Sequence, residues 1–232
     1  MTTHTIGTSP LITAKLAGFF YLVQVLLYIF SSLIVPEGPS AIINNIRISE
    51  SLLCLSIVGI LLAQIVGIVY VLFLYKLLKP VNKNIAALML VFALTVPPIT
   101  MLNELTRLGI LQVVSGADTL SVFTAEQLEA LARFFIRLHG EGTSIAFIFA
   151  GLWLFPLGYL VFQSRFLPGI LGVLLVLGGF GYLIYAFGSL LSTEYNLSNS
   201  LLGGLAEVLF LLWLLIKGVN VEQWNQRALE AA

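Results

Sequence analysis

The chain has 232 residues, of which 59% are hydrophobic and only 9% charged, with 11 basic and 11 acidic residues and no formal net charge. A water-soluble domain of this size carries roughly 25% charged residues, so the chain cannot cover itself in water. The charge balance gives no basic surface for nucleic acid, and the single cysteine, Cys54, excludes an internal disulfide or a CxxC site.

In chain order, six apolar segments are long enough to cross a bilayer: about 14–35, 51–78, 85–113, 138–163, 169–191 and 200–217. Their unbroken apolar runs lack the alternation of barrel strands. The fold class is therefore all-α, a six-helix transmembrane bundle that forms one membrane domain over 1–232. The first segment follows no strongly basic region and ends in Pro36-Glu37-Gly38-Pro39 without a cleavage pattern, so an uncleaved first span is expected.

Two short turns, 76–84 around Pro80 and 163–169 around Pro168, join antiparallel hairpins. Between the third and fourth spans, Thr124 and Gln127 have capping-box spacing. Leu128, Leu131, Phe134, Phe135 and Leu138 gather opposite Glu126, Glu129, Arg133 and Arg137. This reads as a short amphipathic interfacial helix before the fourth span. Segment 39–51 has a weaker pattern of the same kind, with Ile42, Ile43 and Ile46 against Asn44, Asn45 and Arg47.

Orientation follows from the basic residues. Lys15, Lys76, Lys79, Lys83, Arg165, Lys217 and Arg227 fall on the side of the termini and Arg47, Arg133 and Arg137 on the other. Seven against three predicts cytoplasmic termini in the cell inner (plasma) membrane.

Five ionisable residues near or within the spans are the candidate polar pocket: Glu104, Arg107, His139, Glu141 and Glu207. At 1.5 Å per residue Glu104 lies roughly 28 Å beyond Ile85 and Glu207 about 9 Å below Leu201, which expects both near the outer side. Glu104 and Arg107 are three apart, so a local ion pair is the simplest reading and a ligand clamp the alternative. Pro97-Pro98 is expected to kink the third span. Glu207 has no partner nearby in sequence and costs about 2.5–3.5 kcal/mol to insert, so a partner on another helix is expected, Arg107 first and His139 second. Gly203 one turn above it leaves room for a neighbouring helix. Arg137 and Glu141 share a helix face, whereas His139 points nearly opposite and shares its face with Thr143.

No HExxH, GxSxG, Walker A or GxGxxG motif is present, and no Cys/His cluster has zinc spacing. No metal site and no particular cofactor is predicted. The expected partners are the lipid bilayer and a small-molecule or lipid ligand bound or sensed in an outward-facing pocket. A metal-assisted or acid/base hydrolase using Glu104, His139, Glu141 and Glu207 and a proton-coupled carrier are the alternatives.

The stretches at 15–22, 48–53, 74–90, 138–142, 158–183 and 205–219 resemble the bacterial integral-membrane family catalogued as domain of unknown function 4386. The resemblance implies a polytopic membrane protein and assigns no activity. The family pattern resembles LHxYG where this chain has Leu138-His139-Gly140-Glu141-Gly142, and GEL near Ala206-Glu207-Val208. A second histidine that the family often carries in the fourth span is replaced here by Trp153, which argues against a multi-histidine metal site.

Overall fold

The computed structural model describes residues 9–34, 50–115, 120–191 and 200–231, and among them there is helix and no strand. The helices are α1 (Pro10–Leu33), α2 (Glu50–Leu78), α3 (Lys83–Val114), α4 (Ala125–Ser164), α5 (Gly169–Leu191), α6 (Ser200–Ile216) and α7 (Val221–Glu230). The first five are each long and apolar enough to cross a membrane. The sixth, at about 25 Å, is slightly shorter than a ~30 Å hydrocarbon core and turns by 102° into α7. Gly218 makes that turn with φ +69°, where a side chain would be strained, and Asn220 caps the new helix by accepting from the Gln223 amide. Helix α7 was not foreseen as an element. It lies across the prolyl-turn end of the bundle, where the Trp224 indole donates to the Leu77 carbonyl at 2.8 Å and the Asn220 amide donates to the Phe166 carbonyl at 3.1 Å.

The six long helices run up and down in sequence, each packs on the next, and α6 returns to α1. The result is a closed ring. Large apolar side chains such as Phe19, Leu62, Val91, Phe162, Leu177 and Leu212 face outward from it, as a protein solvated by hydrocarbon requires. The molecule is a multi-pass membrane protein.

Helix α3 continues through Pro97 and Pro98. The amphipathic segment before the fourth span is helical and carries the capping box of Thr124 and Gln127. It runs without interruption into the span, making a 40-residue helix. At about 60 Å this is twice the thickness of a hydrocarbon core, so its first half stands beyond the hydrocarbon. There Ala132 and Val113 are buried against each other, and the Phe135 ring lies over Gly109 of α3. The weaker amphipathic pattern at 39–51 falls almost wholly outside the described residues.

Packing is unequal along the ring. Towards the prolyl turns, Leu74, Leu77, Met89, Leu154, Leu157, Leu160, Leu175, Phe210 and Leu214 are fully buried. Helices α4 and α5 approach backbone to backbone at Gly158 and Gly172, where a Cβ on either would stand 2.5 Å from the other's carbonyl oxygen. Such close approach is the usual source of helix association in lipid, where dispersion contacts replace the hydrophobic effect. Towards the long-loop end the ring stays open inside.

Candidate functional site

A cavity of about 710 Å³ occupies the middle of the ring and is lined by all six long helices. Along α3 its wall extends from Ala93 to Ile110, about 25 Å of helix. Most of that wall is apolar, and its polar groups collect at two levels.

The upper level lies towards the long-loop end and is built on one turn and a half of α3. Arg107 reaches Glu104 Oε2 with Nη1 at 3.1 Å, and its Nη2 donates to Ser56 Oγ of α2 at 2.6 Å. Ser56 in turn donates to the Ser31 carbonyl of α1 at 3.0 Å. Glu104 is only 4% exposed, so this is a buried ion pair, and the expected local pair of Glu104 and Arg107 is what forms. The guanidinium fork extends the pair into a tie across three helices.

Beside it, Asn103 pins α3 to α4. Its amide donates to the His139 carbonyl at 2.9 Å and to Thr143 Oγ1 at 3.1 Å. His139 Nδ1 lies 3.0 Å from Thr106 Oγ1 and 3.4 Å from the Asn103 carbonyl. A carbonyl only accepts, so Nδ1 carries the hydrogen, and in the neutral ring Nε2 keeps its lone pair. The glycines of RLHGEGT now separate in role. A Cβ on Gly142 would stand 2.1 Å from Asn103 Oδ1, whereas one on Gly140 would meet nothing within 4 Å. Gly142 is the notch into which Asn103 fits, and Gly140 faces open space.

Glu141 stands apart from the cavity. It points outward with Arg137, 3.2 Å away on the next turn, and both side chains are exposed. Two residues of helix, about 200°, separate it from His139, so one segment serves an inner wall and an outer face at once.

The lower level surrounds Glu207. Tyr182 of α5 donates to Glu207 Oε2 at 2.5 Å, and the Tyr21 hydroxyl of α1 is turned to the same carboxylate. The Tyr182 ring lies over Gly203, where a Cβ would come within 2.3 Å of it, so the space expected there is filled by this ring. Neither Arg107 nor His139 is the partner, contrary to expectation. Counted from the prolyl-turn ends of their helices, Tyr21, Tyr182 and Glu207 lie about 14–20 Å up, while Glu104 and His139 lie about 32–38 Å up. The helices differ in length, 32 residues for α3 against 17 for α6, so counting Glu207 from the far end of its short helix set the two levels at one height.

Residues that sequence reasoning passed over complete the wall. Tyr21 and Tyr70 stack with ring centroids 4.5 Å apart, and Trp153 meets Tyr70 edge-on at 6.2 Å. Phe147 meets Tyr182 edge-on at 5.1 Å. Gln64 of α2, 1% exposed, donates to the Tyr28 hydroxyl of α1. Their only sequence signal is a polar or amphipathic side chain in a run that lipid would otherwise select as aliphatic.

The fold and cavity define an α-helical multi-pass membrane protein with an internal, partly polar chamber. The chain belongs to the family described as domain of unknown function (DUF4386), whose family model matches residues 16–218. It is 32% identical over 168 residues to an uncharacterized protein of Archaeoglobus fulgidus, an alignment that spans 72% of this chain and 86% of that one. No solved structure matches the chain.

Arg107→Ala strands a buried carboxylate and should destabilise the detergent-solubilised protein by about 3–5 kcal/mol, with Glu104→Gln in the same chain recovering much of the loss. Glu207→Gln should not recover it; equal rescue by both in thermal unfolding would contradict the assignment of partners. In the same assay Gly142→Ala should cost about 1–3 kcal/mol by displacing Asn103 from its two acceptors. Gly140→Ala should be neutral or stabilise by up to about 1 kcal/mol, as alanine does at an open helical position; a loss at Gly140 as large as at Gly142 would refute the notch.

Proposed function

We propose that the protein binds or senses a small or lipidic amphiphile inside the ring. The observation that carries this reading is the cavity itself, about 710 Å³, apolar along most of its wall, with polar groups at two heights. Ligand sites have this character, and chambers of this size suit a drug-sized molecule or a single lipid chain. Entry from the bilayer is supported by two wall residues on opposite sides of the α1–α6 seam. Ile29 and Val208 line the cavity and, at 48% and 38% exposed, are among the least covered residues of its wall.

A proton-coupled carrier is the second reading, favoured by the height of Glu207. At about 14 Å from the prolyl-turn end of α6 the carboxylate is near mid-membrane, where carriers hold substrate and coupling ions. An acid/base hydrolase has less support, because Glu104, His139, Glu141 and Glu207 do not converge on one point.

In the orientation we infer, the prolyl-turn face is cytoplasmic and the membrane is the cell's inner (plasma) membrane. The seven-to-three distribution of Lys and Arg supports it. With Cys54→Ser as background, a cysteine at Asn84 should react with a membrane-impermeant maleimide only after the cells are opened, and one at Ala130 in intact cells. The reverse pattern would overturn the orientation.

Ligand binding is tested by native mass spectrometry of protein purified in mild detergent. A copurified small molecule or lipid should be retained by the wild type. Its occupancy should fall at least about tenfold in Thr100→Trp, which fills the cavity between its two polar levels. An adduct that survives this substitution unchanged, or its absence from the wild type, would count against the reading.

A further inference from the structure

The charges of the cavity do not balance. Arg107 neutralises Glu104 at the upper level, while His139 is engaged through Nδ1 with Thr106. Glu207 is left over. Among the described residues the ion pairs join other partners, and no Lys, Arg or His reaches this carboxylate. Tyr182 donates into it and the Tyr21 hydroxyl is turned towards it, which supplies hydrogen-bonding groups but no positive charge. A carboxylate in a low-dielectric interior without a counter-ion is costly, and hydrogen bonds from neutral donors offset only part of that cost. Glu207 is nevertheless partly accessible, and its accessible side belongs to the cavity wall.

What surrounds it is aromatic. Tyr21 and Tyr70 form a stacked pair that Trp153 closes edge-on, and Phe147 stands against Tyr182 on the other side. These five rings come from α1, α2, α4 and α5, and all line the same chamber as Glu207 of α6. The faces of aromatic rings are negative, and a group of such rings lining one small volume makes a wall that attracts alkylammonium and other soft organic cations. A strongly hydrated ion such as a metal cation finds few oxygens here, whereas a cation that carries apolar groups fits both these rings and the apolar wall above them.

From this convergence we propose that the lower chamber is a binding site for an organic monocation with apolar substituents, whose positive centre sits between the Tyr21/Tyr70/Trp153 rings and the Glu207 carboxylate. The ligand supplies the missing counter-charge, and its apolar part extends along the wall towards Thr100. This rests on the reading of the cavity as a ligand site and names the class of ligand.

The test uses the full-length protein in detergent and a pair of probes of like shape, the permanent cation tetraphenylphosphonium and the neutral triphenylphosphine oxide. Affinities are measured by equilibrium dialysis, with thermal unfolding recorded for every variant. The wild type should bind the cation at least tenfold more tightly than the neutral probe. Glu207→Gln should bring that ratio close to one while leaving the neutral probe bound, and Glu207→Asp, which keeps the charge, should retain a preference. Trp153→Leu should weaken the cation more than the neutral probe. Equal affinity of the wild type for both probes, or a preference untouched by Glu207→Gln, overturns the cation site and leaves the cavity as a site for uncharged amphiphiles. Binding of neither probe to the wild type overturns the cation site together with the reading beneath it. The wild-type comparison decides the matter even where a variant fails to fold.

Discussion

Inside a bilayer, every polar group must find its partner in the protein, and the bundle is arranged around that constraint. The forked contact of Arg107, buried at the upper level of the cavity, follows the same rule. One nitrogen neutralises Glu104 on the same helix, the other reaches Ser56 on α2, and Ser56 passes the connection to the Ser31 carbonyl on α1. Asn103 does the same for α3 and α4 by way of His139 and Thr143, and Glu207 for α6 and α5 by way of Tyr182. Helix neighbours around the ring are thus tied by polar contacts on the cavity side while their outer faces remain aliphatic. An open interior is compatible with a stable fold because these ties, rather than a filled centre, hold that half together.

The other half is built differently. Close backbone approach at Gly158 and Gly172 and the fully buried leucines of α2, α4 and α6 make a dense base near the prolyl turns. Helix α7 covers that base from below, anchored by Trp224. A rigid base beneath a hollow upper part places the aromatic chamber where the two meet, at the height of Tyr21, Tyr70 and Glu207. That position joins the most tightly packed part of the molecule to the part that can admit a guest.

Much of the fold was legible in the chain. Five of the six apolar runs match their helices within a few residues at both ends, and the fourth at its C-terminal end, because chain length per span is set by bilayer thickness, and prolines and loops punctuate them. The capping box at Thr124 and the pairing of Glu104 with Arg107 were readable for the same reason, since both are local geometry of one helix. What sequence could not convey was relative height. Helices of unequal length begin at different levels, so Glu207 and Glu104 were expected at one height and differ in height by about 18 Å. The partners of Glu207 were equally hidden, because Tyr182 and Tyr21 are 25 and 186 positions away in the chain and look like ordinary span aromatics. The continuity of α4 through Gly140 and Gly142 was obscured by two glycines, of which only one, Gly142, answers to a contact across helices.

The central claim is that the ring encloses a space meant to be occupied. It is tested most directly by an electron cryo-microscopy map of the protein purified in native lipid without added ligand. Continuous elongated density is expected inside the ring, between the levels of Arg107 and Glu207, that no side chain of the protein explains. A ring collapsed on itself, with Trp153, Phe147 and Tyr182 turned inward to fill the chamber and no space left between α1, α3 and α6, would contradict it.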